Sequence, residues 1–278
     1  MNRTVERTLA ILKIIANSEH GITLQEIANQ MDMAKSSTFA IVHTLLELNY
    51  ISTVENNDKK YCLGVETFAL GMKYANNQSL VQQCVIHLPG LAEKYNKTAF
   101  LGILNGSNVV YLYKYVAENA RLATCSIGSS KPAHATALGK ALIAFLPPKA
   151  QRTLIDNIEL TSYTDQTISS KEGFIAQLEQ IKKQGYATEF AELGHLTACC
   201  SVPILDSQGN AVAAISLADI AESNENYLQM ANDLKAAAAE ISKIVAYTQN
   251  WFPNYKSKFP AFGTVDSLLS CLSPVELQ

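Results

Sequence analysis

Over the first fifty residues apolar positions recur every three to four residues, in three successive runs separated by polar breaks. Val5, Leu9, Leu12, Ile15 and Ala16 predict a helix over residues 5–17. Gly21 ends the connection that follows. Thr23 with Glu26 three residues later is the capping-box spacing, and it opens a second helix whose buried stripe is Leu24, Ile27, Ala28 and Met31. Asp32, Met33 and Ala34 form a turn. The third run takes Ile41, Leu45 and Leu48 as its inward stripe, widened by Phe39, Val42 and Leu46, and Asn49 stands where a helix end adopts the left-handed conformation. Two short helices joined by a polar turn, the second opening on Lys35, Ser36, Ser37 and Thr38, make the pattern of a helix-turn-helix.

The period then changes. Ile51, Thr53 and Val54 read as a strand, Asn56, Asn57 and Asp58 as a turn, and residues 59–63 as the returning strand, which together form a wing. Val65, Phe68, Ala69 and Met72 restore the helical period as a linker, and another helix covers residues 80–95. Three alternating strands follow at 99–105, 108–116 and 121–127, the first two joined at Asn105 and Gly106, a strong hairpin signal. Helices at 135–145 and 169–184, strands at 199–205 and 211–217, and an Ala-rich helix at 224–247 complete the pattern. Hairpin strands flanked by helices make an α+β layer, not a βαβ series. The domains expected are a winged helix-turn-helix over residues 1–63, a linker helix over 64–78, a sensor-like domain over 79–249 and a tail over 250–278. The tail holds the only Trp and a short helix near 265–272.

Composition changes this picture in two respects. A chain of 278 residues with 48% hydrophobic content accommodates two domains with ordinary cores. Net charge is −3, and the first sixty residues carry six Lys or Arg against seven Asp or Glu, so any affinity for nucleic acid must come from a local cluster of contacts. The N-terminus has no long apolar segment and no run approaches the length of a membrane helix, so the expectation is a cytoplasmic protein with its six cysteines reduced.

Four segments in order resemble the IclR family of bacterial transcription regulators. They are the winged helix-turn-helix closed by Tyr61, Cys62, Leu63 and Gly64; the His134-x-Thr136-Ala137-x-Gly139-Lys140-Ala141 run; Gly185, Tyr186 and Ala187 with Glu192, Cys199 and Pro203; and Ala213, Ala214, Ile215 and Ser216. The resemblance covers about residues 4–248 and implies a DNA-binding domain followed by a GAF-like effector-binding domain. It also implies a homodimer or homotetramer, a palindromic operator in double-stranded DNA, and response to a small metabolite. The sequence departs from the family pattern at Ala40, where Arg is common in the recognition helix, and at Asn49, Leu196, Ala198 and Ala218.

Lys35, Ser36, Ser37 and Thr38 place a cation and three short donors at a helix start, suited to phosphates and base edges, although such a run also reads as a solvated first turn. Thr23 is expected to touch a phosphate from the preceding helix, and Lys59 and Lys60 either meet the backbone from the wing or form a solvated turn. Gly128 opens a loop running to a helix start, where backbone N–H groups would hold an anion and Gly128 would permit close approach. His134 and Ala135 lie in that loop, His134 serving equally as a structural hydrogen-bonding residue. Glu189 and Glu192 sit in a segment that reads as loop, and with no nucleophile beside them they suit ligand hydroxyls or structural roles better than acid–base catalysis. Cys199 and Ser216 would line the same pocket from neighbouring strands, or serve only as core. Cys125, Cys199, His134 and His195 lack the local pairs that announce zinc. The function expected is therefore a ligand-responsive regulator, a repressor controlled by a sugar acid or other carboxylate, with no catalytic residue, metal or cofactor and no membrane partner. The alternative is a metabolite-binding protein or enzyme whose N-terminal helices only dimerise.

Overall fold

The computed structural model describes residues 2–55, 57–76, 79–122, 125–221 and 227–247. The tail and its short helix lie outside them. The chain divides into two compact units between Asn77 and Gln78.

In the first unit, α1 (Arg3–Ala16) is capped by Asn2, whose Oδ1 accepts from the backbone of Thr4 and Val5. Strand β1 (Ile22–Thr23) leads into α2 (Leu24–Gln30), and α3 (Lys35–Glu47) follows after a turn in which Asp32 takes φ 48°. Strands β2 (Ile51–Val54) and β3 (Asn57–Leu63) form the wing, and α4 (Val65–Asn76) ends the unit. The sheet is antiparallel, in the order β1-β3-β2. Asn49 takes φ 58° just beyond α3. The core is Ile11, Ile15, Ile22, Ile27, Val42, Leu45 and Ile51.

Two predicted stripes are corrected. Val5 and Leu9 of α1 are 52% and 55% exposed, and the inward line is Ile11 and Ile15 with Leu12 and Ile14 beside them. On α3 the buried residues are Thr38, Val42 and Leu45, whereas Phe39 and Leu48 face outward. Each helix carries two apolar lines, and so small a core covers only one.

The second unit opens with α5 (Ser79–Tyr95) and the hairpin β4 (Thr98–Asn105) and β5 (Asn108–Val116), with Gly106 at φ 63° in its turn. Then come β6 (Ser130–Pro132), α6 (Ala137–Ala144), α7 (Pro148–Asn157), α8 (Lys171–Gln184), β7 (Ala187–Phe190), β8 (Thr197–Leu205), β9 (Ala211–Ile220) and α9 (Tyr227–Tyr247). The six-stranded antiparallel sheet has the order β6-β5-β4-β9-β8-β7. Side chains alternate across it. Ala99, Leu101, Cys200, Val202, Ile215 and Leu217 pack with α5 and α9, while Phe100, Leu104, Tyr111, Ala214 and Ala218 pack with α6 and α8.

The strand predicted at 121–127 is not formed by its described residues. Arg121 turns aside to donate to Asp219 at 2.6 Å, Cys125 takes φ 57°, and Ser129 N–H closes a turn on the Ser126 carbonyl. The strand pairing with β5 is β6 instead, and α7, β1 and β7 went unread in the sequence.

Candidate functional site

In the first unit the exposed surface of α3 begins with Lys35, Ser36 and Ser37. Its N-cap, Ala34, supplies no side-chain hydrogen bond, and the first turn has no acidic residue. The amides at this helix start therefore lack the side-chain acceptor that a cap provides, next to a lysine, which is the arrangement that favours phosphate. The neighbouring α2 is the opposite case. Thr23 Oγ1 donates to Glu26 Oε2 at 2.7 Å, its N–H donates to the same oxygen at 2.8 Å, and Glu26 N–H returns to Oγ1 at 3.3 Å. The single hydroxyl proton of Thr23 is thus committed to its capping box. The cap hydrogen bonds from Thr23 hold the Glu26 carboxyl below its usual range, with the Lys60 ammonium adding a smaller effect.

Thr38 does not lie on the exposed surface of α3. It is wholly buried, and its hydroxyl donates to the Ala34 carbonyl at 3.2 Å, so its side chain does not reach the surface. In its place Phe39, Ala40 and His43 are exposed, the Phe39 and His43 rings lying 5.5 Å apart. Sequence reasoning missed them because an apolar Phe was assigned to the core stripe; counting the period from Thr38 would have turned it outward. On β3, Lys59 is exposed and Lys60 half-buried.

In the second unit one face of the sheet carries Glu189, Cys199, Ser201 and Ser216, with Glu189 opposite Cys199 and Ser201 opposite Ser216 across the ladders. Phe100 continues the Ser216 row. Above this face, Lys140 of α6 is completely buried and its Nζ lies 2.5 Å from Glu192 Oε1. Glu192 Oε2 is buried too and has no hydrogen-bond partner among the described residues. Glu189 Oε1 accepts from the backbone of Glu192 at 2.7 Å and from Thr197 Oγ1 at 3.3 Å. Burial pushes the Glu189 carboxyl up, outweighing those hydrogen bonds. Burial, and then the Glu189 carboxylate, push the Cys199 thiol well up, so it is no thiolate nucleophile. Tyr111 lies close enough to Cys125, Cys199 and Glu189 to feel each, and burial raises its phenol most.

A strap over residues 161–167 ties the site together. Thr164 Oγ1 donates to the Ala191 carbonyl at 2.6 Å and Thr167 Oγ1 to that of Glu192 at 2.5 Å. His134 meets the Thr161 carbonyl through Nε2 at 2.9 Å and stacks on Tyr163, while Ala135 beside it is buried. His134 thus anchors the loop on the strap that also holds Glu192.

The sequence points to an anion site at the start of α6. Thr136 caps that helix from within, its Oγ1 accepting from Gly139 N–H at 3.2 Å. A Cβ on Gly139 would lie 2.1 Å from the Ala133 carbonyl oxygen, so the loop is pressed closely against the helix there. Gly128 lies well before that helix at φ 83°, and its N–H already donates to the Tyr111 carbonyl at 2.8 Å. The cation in this region is the Lys140 ammonium. The sequence carried its signal: a lone lysine inside the apolar run ALGKALIA.

An open cavity of about 550 Å³ lies on the other face of the sheet, lined by Tyr95, Lys97, Arg121, Asp219 and Met230 among others. It contains none of the predicted effector residues. Asp219 Oδ2 accepts there from Lys97 at 2.8 Å and Arg121 at 2.6 Å. Among the described residues no group of His, Cys, Asp or Glu is placed to hold a metal, and no helix is long and apolar enough to cross a membrane.

Residues 4–55 match the profile of the IclR helix-turn-helix domain, and residues 72–243 that of the bacterial transcriptional regulator IclR C-terminal domain. The chain belongs to the IclR family. It is 30% identical over 248 residues to the HTH-type transcriptional regulator XynR of Escherichia coli strain K12, covering 88% of this chain and 98% of that one. With the HTH-type transcriptional regulator BhcR of Paracoccus denitrificans the identity is 31% over 242 residues, with 86% of each covered. The crystal structure of the Thermotoga maritima IclR aligns with a TM-score of 0.69 at 26% identity, covering 89% of this chain and 100% of that one. As an IclR-family member this protein is a ligand-responsive, DNA-binding transcriptional regulator, not an enzyme. Its architecture is the family's: an N-terminal helix-turn-helix domain and a C-terminal GAF-like α+β domain.

Proposed function

We propose that the effector is a hydroxylated carboxylic acid held between Lys140, Glu192, Glu189, Cys199 and Ser216. The observation that carries this reading is the Glu192 side chain, whose Oε2 is buried without a donor while Oε1 holds Lys140. A buried carboxylate oxygen without a partner is costly, and a ligand hydroxyl satisfies it. Lys140 spends one of its three donors on Glu192, and a ligand carboxylate accepts another. His134, Ala135 and Gly128 act on this site through the backbone they position.

DNA is held through phosphates at Lys35, Ser36 and Ser37 and at the wing lysines Lys59 and Lys60. The exposed apolar residues of α1 and α4, Val5, Leu9, Val65, Phe68 and Leu70, cover one another in a second copy. A homodimer, or a tetramer built from two, matches a palindromic operator. The linker at 64–78 carries the effector's preference for one arrangement to the DNA-binding domains, in a cytoplasmic repressor whose affinity falls by as much as that preference allows.

The test is calorimetric titration of the full chain with sugar acids, the matching neutral sugars and the matching deoxy acids. Hydroxy acids bind, and both other sets bind at least tenfold more weakly. Glu192→Gln weakens the hydroxy acid while leaving DNA affinity intact. Equal binding of deoxy and hydroxy acids overturns this reading.

A further inference from the structure

We infer that the outward face of α3 reads thymine, with Phe39 and Ala40 packed against thymine C5-methyl groups. This rests on the reading of α3 as the helix that enters the major groove. With Thr38, Val42 and Leu45 buried, helical period puts Ser36, Ala40, His43 and Glu47 along the outer line, with Phe39 beside His43. The chemistry of that face is narrow. The contact that most often reads guanine needs an Arg or Lys, and the only cation on the helix is Lys35 at its first position. The Thr44 hydroxyl donates back to the Ala40 carbonyl at 2.9 Å, and His43 Nδ1 lies 3.5 Å from Glu47. The middle of the face therefore offers a methyl group and an aromatic ring.

Phe39 leaves 51% of its surface in water, and its ring is steadied at 5.5 Å by His43. An exposed ring flanked by the Lys35 helix start is continuous with the phosphate-binding surface. Among the bases only thymine presents an apolar group in the major groove. Ala40 is short, and its small side chain lets the backbone approach closely enough for its methyl to meet a base, so two neighbouring apolar contacts per half-site fit the helix.

The experiment begins with operator selection from random DNA by the full chain. Each thymine of the selected site is then replaced in turn by deoxyuridine, which removes only the methyl. At one or two positions per half-site the wild type is expected to lose about fourfold in affinity per methyl, the worth of one buried carbon. Phe39→Ala is expected to become indifferent to deoxyuridine at one of those positions while remaining folded by circular dichroism, and Phe39→Leu to keep part of the sensitivity. A selected site at which no thymine methyl matters, or a Phe39→Ala protein as sensitive as wild type, overturns the inference and leaves the DNA reading standing. Selection of no sequence at all overturns both.

Discussion

Replacing Lys140 by Met is the sharpest test of how the effector domain is built. The ammonium is wholly out of solvent, 2.5 Å from Glu192 Oε1, and the other carboxylate oxygen has no partner among the described residues. Lys140→Met keeps the apolar stem but leaves a buried carboxylate without its counter-charge, a change that costs about 3–5 kcal/mol. For domains of roughly 150–250 residues each kcal/mol moves Tm by about 2–4 °C, so the transition of the C-terminal unit should fall by about 6–20 °C. Adding Glu192→Leu removes the stranded charge, and since apolar replacement of a buried pair is often neutral or better, the double variant should recover most of the loss. Neither variant should bind the effector, whereas both should retain DNA affinity. The assay is scanning calorimetry of the full chain with near-UV circular dichroism. A single variant within about 1 kcal/mol of wild type, or a double variant no more stable than the single one, refutes a buried pair coupled in this way.

Thr23→Ala should cost about 1 kcal/mol through loss of the α2 cap and leave the salt dependence of DNA binding unchanged, while Lys35→Ala should reduce the salt slope by about 0.9 per half-site; anisotropy titrations over a range of salt separate the two. Burial raises the Glu189 carboxyl, so the folded chain keeps a proton that the unfolded chain releases from about pH 4.3 upward. That contribution to stability is present below this pH and declines as pH rises towards the folded value, and Glu189→Gln should remove the decline in melts taken across the interval; an unchanged slope counts against it. Gly139→Ala forces a Cβ to 2.1 Å from the Ala133 carbonyl and should unfold the α6 region, seen as lost near-UV signal; a variant as stable as wild type shows that the loop can move away.

Where local chemistry decided the structure, the sequence was readable. The Thr23–Glu26 capping box, the turn at Asn105 and Gly106, and Asn49 in the left-handed region all act within a few residues, and all appear in the fold. Where two solutions satisfy the same period, it was not. On α3 the pattern alone did not distinguish a stripe containing Phe39 from one containing Thr38, because burial of a threonine depends on the Ala34 carbonyl that accepts its proton. Similarly, Arg121–Ile127 alternates as a strand would, yet Arg121 pairs with Asp219, distant in sequence, and Cys125 takes a positive φ. The proposed effector site shows the same limit. Glu189 and Glu192 were legible as a pair of carboxylates, but their partner Lys140 comes from a helix 52 residues earlier in the chain. Only tertiary packing brings it to them.

In the proposed function, an acid bound at Glu192 and Lys140 governs DNA affinity. The most direct measurement titrates hydroxylated acids into a complex of the full chain with its selected operator, for wild type and Glu192→Gln, and reads anisotropy. Release of wild type from DNA by a hydroxy acid, with Glu192→Gln bound to the same operator and indifferent to that acid, is the expected result. An acid that releases both proteins equally, or one that binds the wild type tightly without changing its hold on DNA, contradicts the account.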